Sequence, residues 1–137
     1  MWWVYALLSA LFASLTAIFA KIGISGVNSN LATAIRTIVI LFIAWGIVFF
    51  RGEYKTLYTL SKHNLIFLMI SGIATGLSWI FYFKALQIGK VSQVAPVDKL
   101  SVALTIILSV IFLGEALSWK TAVGALLIIG GTIVLIL

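Results

Sequence analysis

Five apolar stretches of about twenty residues each, separated by short polar segments, constrain this chain more than any other feature of its sequence. A helix needs roughly 20 mostly apolar residues to cross the hydrocarbon core of a bilayer. In lipid the backbone polar groups must be satisfied within the protein, which makes stretches of this length helical. We therefore predict five transmembrane helices, called spans 1 to 5, at about 3–20, 31–50, 64–86, 94–113 and 119–137.

Composition supports an all-α integral membrane protein. The 137 residues are 64% hydrophobic and only 9% charged, whereas about a quarter of a soluble domain is charged. The spans leave no segment for a soluble domain, so we predict a single transmembrane domain over residues 1–137. The sequence contains no cysteine and no nucleophile, phosphate-loop, metal or cofactor motif, so we predict no enzyme activity, no metal and no cofactor.

The net charge of +6 comes from basic residues spread over helix ends and short loops. This distribution is typical of membrane proteins, and because no basic tract exists we predict no nucleic-acid partner. An odd number of spans puts the two termini on opposite faces of the membrane. Basic residues are distributed almost evenly between the faces, so the positive-inside rule favours the N-terminal face as cytoplasmic only slightly. This weak bias is compatible with insertion in both orientations.

Charged residues at membrane depth are the strongest functional candidates, because an ionisable group inside a span is costly. Alternate spans run in opposite directions, which places several of these residues at a similar depth near the face opposite the N-terminus. We expect them to form one charged layer around a cavity, together with two aromatic residues one to two turns deeper. The candidates are Lys21, Arg36, Lys84, Asp98 and Lys99, with Trp79 and Tyr82 facing the cavity.

Each of these charges also has a purely structural interpretation. Lys21 and Lys84 are long enough to extend their ammonium groups to the interface. Asp98 lies either in the first turn of a helix, where the helix dipole favours it, or beside the cations as an ion-pair partner. Arg36 is surrounded by apolar sequence and should face the protein interior. The excess of cations favours an anionic or zwitterionic substrate, or an ion-pair gate.

Three further features concern helix geometry. Pro96, the only proline, either begins span 4 or lies inside it and bends its first turn, as in the discontinuous helices of transporters. Gly72 and Gly76 form a GxxxG pattern in span 3, which is typical of close helix packing in membranes. His63 is predicted to be a solvated residue of the polar loop at 51–63.

Short motifs in all five spans resemble one known family. The chain is similar to a single EamA domain of the drug/metabolite transporter superfamily, and specifically to stand-alone bacterial proteins with one such domain. The motifs that carry this resemblance are Ala20-Lys21, Thr33-Ala-Ile-Arg36-Thr, Tyr82-Phe-Lys84-Ala-Leu, Ala95-Pro96-Val-Asp98-Lys99 and Phe112-Leu-Gly114-Glu115. Their order covers essentially the whole chain.

The resemblance implies one five-helix repeat, where typical members have two repeats of inverted topology. It therefore implies a homodimer around a central cavity, with an antiparallel arrangement favoured over a parallel one. The implied function is secondary transport of a small polar metabolite across the bacterial inner membrane by alternating access. Span 1 lacks the acidic residue that small multidrug resistance proteins use, which argues against cationic drug export. The alternative is a membrane accessory or scaffold subunit that transports nothing.

Overall fold

The computed structural model describes residues 1–137, and every regular element in it is a helix. Six α-helices are joined by short connections, with one 3-10 helix (53–59) after α2. The α-helices are α1 (Trp2–Gly23), α2 (Ser29–Phe50), α3 (Lys62–Ile88), α4 (Val91–Asp98), α5 (Leu100–Leu113) and α6 (Trp119–Ile136).

Five segments are long and apolar enough to cross a membrane, judged by length and composition. Four are the single helices α1, α2, α3 and α6, and the fifth is the consecutive pair α4 and α5 over Val91–Leu113. The predicted all-α fold with five spans is therefore confirmed. The most apolar window of each span has at most 6% of its residues buried by the rest of the chain. Most of the apolar side chains are thus available to lipid or to another protein chain.

Polar side chains and glycines mark the helix ends, as expected for groups that have no partner within the helix. The Asn28 side chain accepts hydrogen bonds from the backbone N–H groups of Asn30 and Leu31, which caps α2. Ser118 caps α6 by accepting from the N–H of Thr121 at 3.1 Å. Gly114 ends α5 with a φ of 67°, a left-handed conformation that glycine adopts without a steric penalty.

The segment between α2 and α3 is more ordered than a simple polar loop. Residues 53–59 form the 3-10 helix, and Arg51 pairs with Glu53 at 2.9 Å between Nε and Oε1. His63, predicted to lie in this loop, instead lies in the first turn of α3. Its ring contacts the Phe67 ring one turn later in a tilted arrangement, with the ring centroids 4.7 Å apart. His63 is exposed, as predicted, but its predicted loop position was wrong because the N-terminal end of α3 extends beyond the apolar stretch that defined span 3.

The chain divides into two compact units. Unit 1 consists of Met1–Phe19 and Ile88–Leu137, and unit 2 consists of Ala20–Gln87. In unit 1, α5 and α6 pack together along an apolar groove of about 390 Å³. Unit 2 contains the turn after α1, all of α2, the 3-10 helix and nearly all of α3.

In unit 2 the start of α2 lies beside the end of α3. The Lys21 ammonium donates a hydrogen bond to the backbone carbonyl of Leu86, and the Gln87 side chain donates to the carbonyl of Val27 at 2.8 Å. The last carbonyls of a helix have no partner within the helix, so Lys21 satisfies one of them at the end of α3. These contacts connect the turn before α2 to the end of α3, and the two helices therefore run antiparallel.

Candidate functional site

Arg36 is held against two aromatic rings of α3. Its guanidinium carbon lies 4.1 Å from the ring centroid of Trp79 and 5.0 Å from that of Phe83. Both distances are within the range of a cation–π interaction. Trp79 and Phe83 are four residues apart and so lie on one face of α3. Arg36, Trp79 and Phe83 together are called the Arg36 site below.

The Arg36 site is well inside its helices. Arg36 lies seven residues after the start of α2 at Ser29, which is about 10 Å along the axis at 1.5 Å per residue. Thr33, one turn earlier, is buried, and its hydroxyl donates to the carbonyl of Ser29 at 2.9 Å. The side of α2 that carries Arg36 therefore faces protein at this depth.

Within unit 2, the contacts of the Arg36 guanidinium are to the two aromatic rings and not to an oxygen acceptor. Glu53 is the one carboxylate of unit 2 and pairs with Arg51, so Arg36 has no carboxylate partner in that unit. The guanidinium carries five N–H donors in a planar fork. A charged group with open donors in a membrane span requires a partner from outside its own contacts.

The other predicted residues of α3 differ in their relation to this site. Tyr82 is half-buried and packs edge-on against Phe83, with ring centroids 6.3 Å apart. Lys84 is exposed. It follows Phe83 directly, so it projects about 100° away around the helix, given 3.6 residues per turn. The Lys84 ammonium is therefore on a different side of α3 from the Arg36 site.

Pro96 lies inside a helix in unit 1. Because α4 begins at Val91, the proline is its sixth residue, which matches the second of the two arrangements considered for it. Proline has no backbone N–H and cannot make the usual bond to the carbonyl four residues earlier. The helical pattern is interrupted at Lys99, whose N–H is shared between the carbonyls of Ala95 and Pro96 at 3.3 and 3.0 Å. Span 4 is thus discontinuous close to its charged residues.

Asp98 and Lys99 form a local ion pair at this interruption. The Lys99 ammonium lies 3.3 Å from the Asp98 carboxylate, and the two side chains are 58% and 35% exposed. An ion pair this exposed contributes little to stability. The structure therefore brings Arg36 and Trp79 together in unit 2, and Asp98 and Lys99 together in unit 1. A single charged layer that joins both groups stays a prediction.

Gly72 and Gly76 have open space beside them. A Cβ atom added at either glycine would meet no atom of the chain within 4 Å. Gly72 precedes Trp79 by seven residues, and Gly76 precedes Phe83 by seven. Seven residues are nearly two full turns, so each glycine lies on the face of α3 that carries the aromatic rings. Helix packing at this glycine pair stays a prediction.

Two contributing residues were missed from the sequence. Phe83 is almost fully buried and supplies the second ring of the Arg36 site. Its spacing of four residues from Trp79 was the available signal. The buried Thr132 hydroxyl of α6 donates to the carbonyl of Pro96 at 3.3 Å, which links α6 to α4. A lone threonine in an apolar span gives no sequence signal for that contact.

The five long apolar helices define a multi-pass integral membrane protein. The chain matches the model of the EamA-like transporter family over residues 1–137. It belongs to this family, in the drug/metabolite transporter superfamily, with a single EamA domain. No group of side chains that could hold a metal ion occurs in the structure.

Two curated relatives are similar to the chain. One is an "Uncharacterized transporter in cobO 3'region" of a Sinorhizobium species, 45% identical over 134 residues, which cover 98% of this chain and 95% of the relative. The other is an uncharacterized protein of Methanocaldococcus jannaschii, 32% identical over 83 residues, which cover 61% of each chain. No solved structure matches the chain significantly.

Proposed function

We propose that the protein is a secondary transporter whose functional unit is a homodimer of this five-span chain. It moves a small polar solute across the bacterial inner membrane by alternating access between its two halves. Membership of the EamA-like transporter family over the whole chain supports transport. A single repeat supports dimerisation, because transporters of this general type place their substrate site between two repeats.

The observation that carries this proposal is the Arg36 guanidinium. It lies seven residues into a span of membrane-crossing length, two aromatic rings hold it in place, and unit 2 offers it no carboxylate partner. Intramembrane charges of this kind mark substrate and ion pathways. A helix that only anchors or packs gains nothing from keeping such a charge.

The exposure of the spans supports a second copy as the partner. No more than 6% of the residues in any span's most apolar window are buried within one chain. An antiparallel pair of identical chains reproduces an inverted repeat, and the weak charge bias of the loops allows both orientations. A parallel pair is the competing arrangement. Reporter fusions at Leu137 distinguish them, since an antiparallel dimer requires signals from both sides of the membrane.

Solute flux in proteoliposomes tests the proposal. The purified chain is reconstituted and assayed for counterflow with a panel of amino acids, carboxylates, nucleotide precursors and quaternary amines. We expect saturable counterflow of at least one solute, which Arg36→Gln reduces by about 100-fold. Arg51→Gln is the matched control, because it removes an equal charge at the exposed end of the same helix. Absence of flux for every solute would contradict the proposal and favour an accessory subunit.

A further inference from the structure

The Arg36 site combines a fixed cation with unused hydrogen-bond donors. A ring face stabilises the guanidinium charge but provides no oxygen for its N–H groups, and the one carboxylate of unit 2, Glu53, pairs with Arg51 instead. We propose that these donors bind the carboxylate of a small monoanionic solute, and that this contact selects the substrate of the transporter; the inference rests on the function proposed above. A planar carboxylate matches the guanidinium fork with two parallel hydrogen bonds.

The depth of the site favours a solute over a lipid headgroup. Trp79 and Phe83 precede the end of α3 at Ile88 by nine and five residues, or about 14 and 8 Å along the axis. The 27 residues of α3 are about 40 Å long, and a helix of this length centred on a hydrocarbon core of about 30 Å would extend beyond it by roughly 5 Å at each end. The guanidinium therefore lies several ångströms below the level of lipid headgroups.

The charge of the site favours a monoanion. Within unit 2, Lys21 already donates to the carbonyl of Leu86, and Lys84 projects to a different side of α3. Arg36 is thus the one cation of unit 2 that lies against the two rings and can contact a group bound there directly. One guanidinium neutralises one carboxylate, whereas a phosphate dianion would leave a negative charge in a region of low dielectric constant.

The glycines next to the site leave room for the rest of the solute. Gly76 and Gly72 continue the ring-bearing face of α3 one and two turns deeper into the membrane. No atom of α2 or of another part of unit 2 lies within 4 Å of the position of a Cβ there. Since α2 and α3 meet at Arg36 but not at the glycines, a gap adjoins the guanidinium on its deeper side. This gap accommodates a small apolar group attached to the carboxylate.

Calorimetric titration of the purified chain in phosphatidylcholine nanodiscs tests the carboxylate assignment. The probes are acetate, benzoate and indole-3-acetate, with benzamide as a neutral analogue and inorganic phosphate as a second anion. We expect saturable binding of at least one monocarboxylate, and at least tenfold weaker binding of benzamide and phosphate. Arg36→Gln should weaken carboxylate binding at least tenfold. Arg36→Lys should weaken it by a smaller factor, because lysine keeps the charge but lacks the planar fork.

Equal binding of the carboxylate by wild type and Arg36→Gln would overturn the inference, as would no binding of any monocarboxylate. A lipid source is tested in nanodiscs that contain phosphatidylglycerol. If the anionic lipid occupies Arg36 and displaces the carboxylate completely, the site belongs to a lipid and the inference is wrong. Residual carboxylate binding by Arg36→Lys would show that a substitution at position 36 leaves the protein folded, because lysine retains the charge and is compatible with the helix.

Two added side chains test the gap. Gly76→Leu fills the space on the ring-bearing face, and we expect it to weaken benzoate binding at least tenfold. Ala74→Leu is the control, since a residue two positions away projects about 200° around the helix and Ala74 is exposed. Equal benzoate binding by Gly76→Leu and wild type would show that the gap is not part of the binding site.

Failure of this inference is distinguishable from failure of transport. Carboxylate binding that depends on Arg36, without flux in proteoliposomes, would retain the anion site and reject the transporter. Flux of a neutral or cationic solute that Arg36→Gln leaves unchanged would retain the transporter and reject the anion site.

Discussion

The Arg36 site in unit 2 and the Asp98–Lys99 pair in unit 1 differ in what stabilises their charges. Aromatic rings at 4.1 and 5.0 Å stabilise Arg36, and unit 2 offers it no carboxylate partner. The charges of Asp98 and Lys99 neutralise each other at 3.3 Å beside a helix interruption. An open cation can bind a new partner at once, whereas a paired carboxylate must first give up its existing partner.

The difference predicts which charge the transporter depends on most. Arg36→Gln should reduce the rate of substrate counterflow by about 100-fold, because loss of a charged hydrogen-bond partner from a desolvated site costs several kcal/mol. Asp98→Asn should reduce it by less than about tenfold, since this exposed pair carries little interaction energy. Initial rates in proteoliposomes at matched protein density measure both. A larger effect for Asp98→Asn would reverse the comparison and make the helix interruption the principal site.

The aromatic rings should matter next. Trp79→Ala should raise the dissociation constant for benzoate about tenfold, because a partly desolvated cation–π contact contributes about 1–2 kcal/mol. Trp79→Phe should raise the same dissociation constant about threefold, because a phenyl ring is a weaker partner for a cation than indole. Calorimetric titration measures both values. If Trp79→Ala and Trp79→Phe bind benzoate equally well, the aromatic ring does not stabilise the guanidinium charge. The contrast between the Arg36 site and the Asp98–Lys99 pair would then have no electrostatic basis.

The spans and the helix ends could be predicted from the sequence, because they depend on local patterns. The five apolar stretches and the caps at Asn28 and Ser118 follow from bilayer thickness and from unsatisfied helix ends. The position of Pro96 inside its helix was left open, because the residues before it are helix-compatible and also loop-compatible. His63 was misplaced, since polar residues at a helix end resemble a loop.

Contacts between distant segments were harder to predict. Arg36 was expected to face protein, but the sequence contains many aromatic residues and does not say which ring it meets. The choice of Trp79 and Phe83 depends on how α2 approaches α3. The Thr132 hydroxyl bond to Pro96 depends in the same way on the packing of α6 against α4.

That contact in unit 1 should have a smaller effect than the rings in unit 2. Thr132→Val should lower the free energy of unfolding by about 0.6 kcal/mol, the average for hydrogen bonds between membrane helices. Thr105→Val is the control, because its hydroxyl bonds the carbonyl of Ser101 in its own helix. Unfolding by sodium dodecyl sulfate in mixed micelles measures both. Equal losses would mean that the bond between α6 and α4 contributes nothing beyond ordinary packing.

The smallest effect is expected at the exposed end of α2. Arg51 and Glu53 lie 2.9 Å apart with their side chains 67% and 46% exposed, so water and salt screen their attraction. Glu53→Gln should therefore change the free energy of unfolding by less than about 0.5 kcal/mol, and should leave flux unchanged. We therefore expect the two arginines of this region to differ: Arg51, paired at the end of α2, should be dispensable, whereas Arg36, held by the rings inside α2, should be needed for flux. A flux defect in Glu53→Gln as large as that of Arg36→Gln would show that charge at either end of α2 matters equally, and burial would no longer explain the difference.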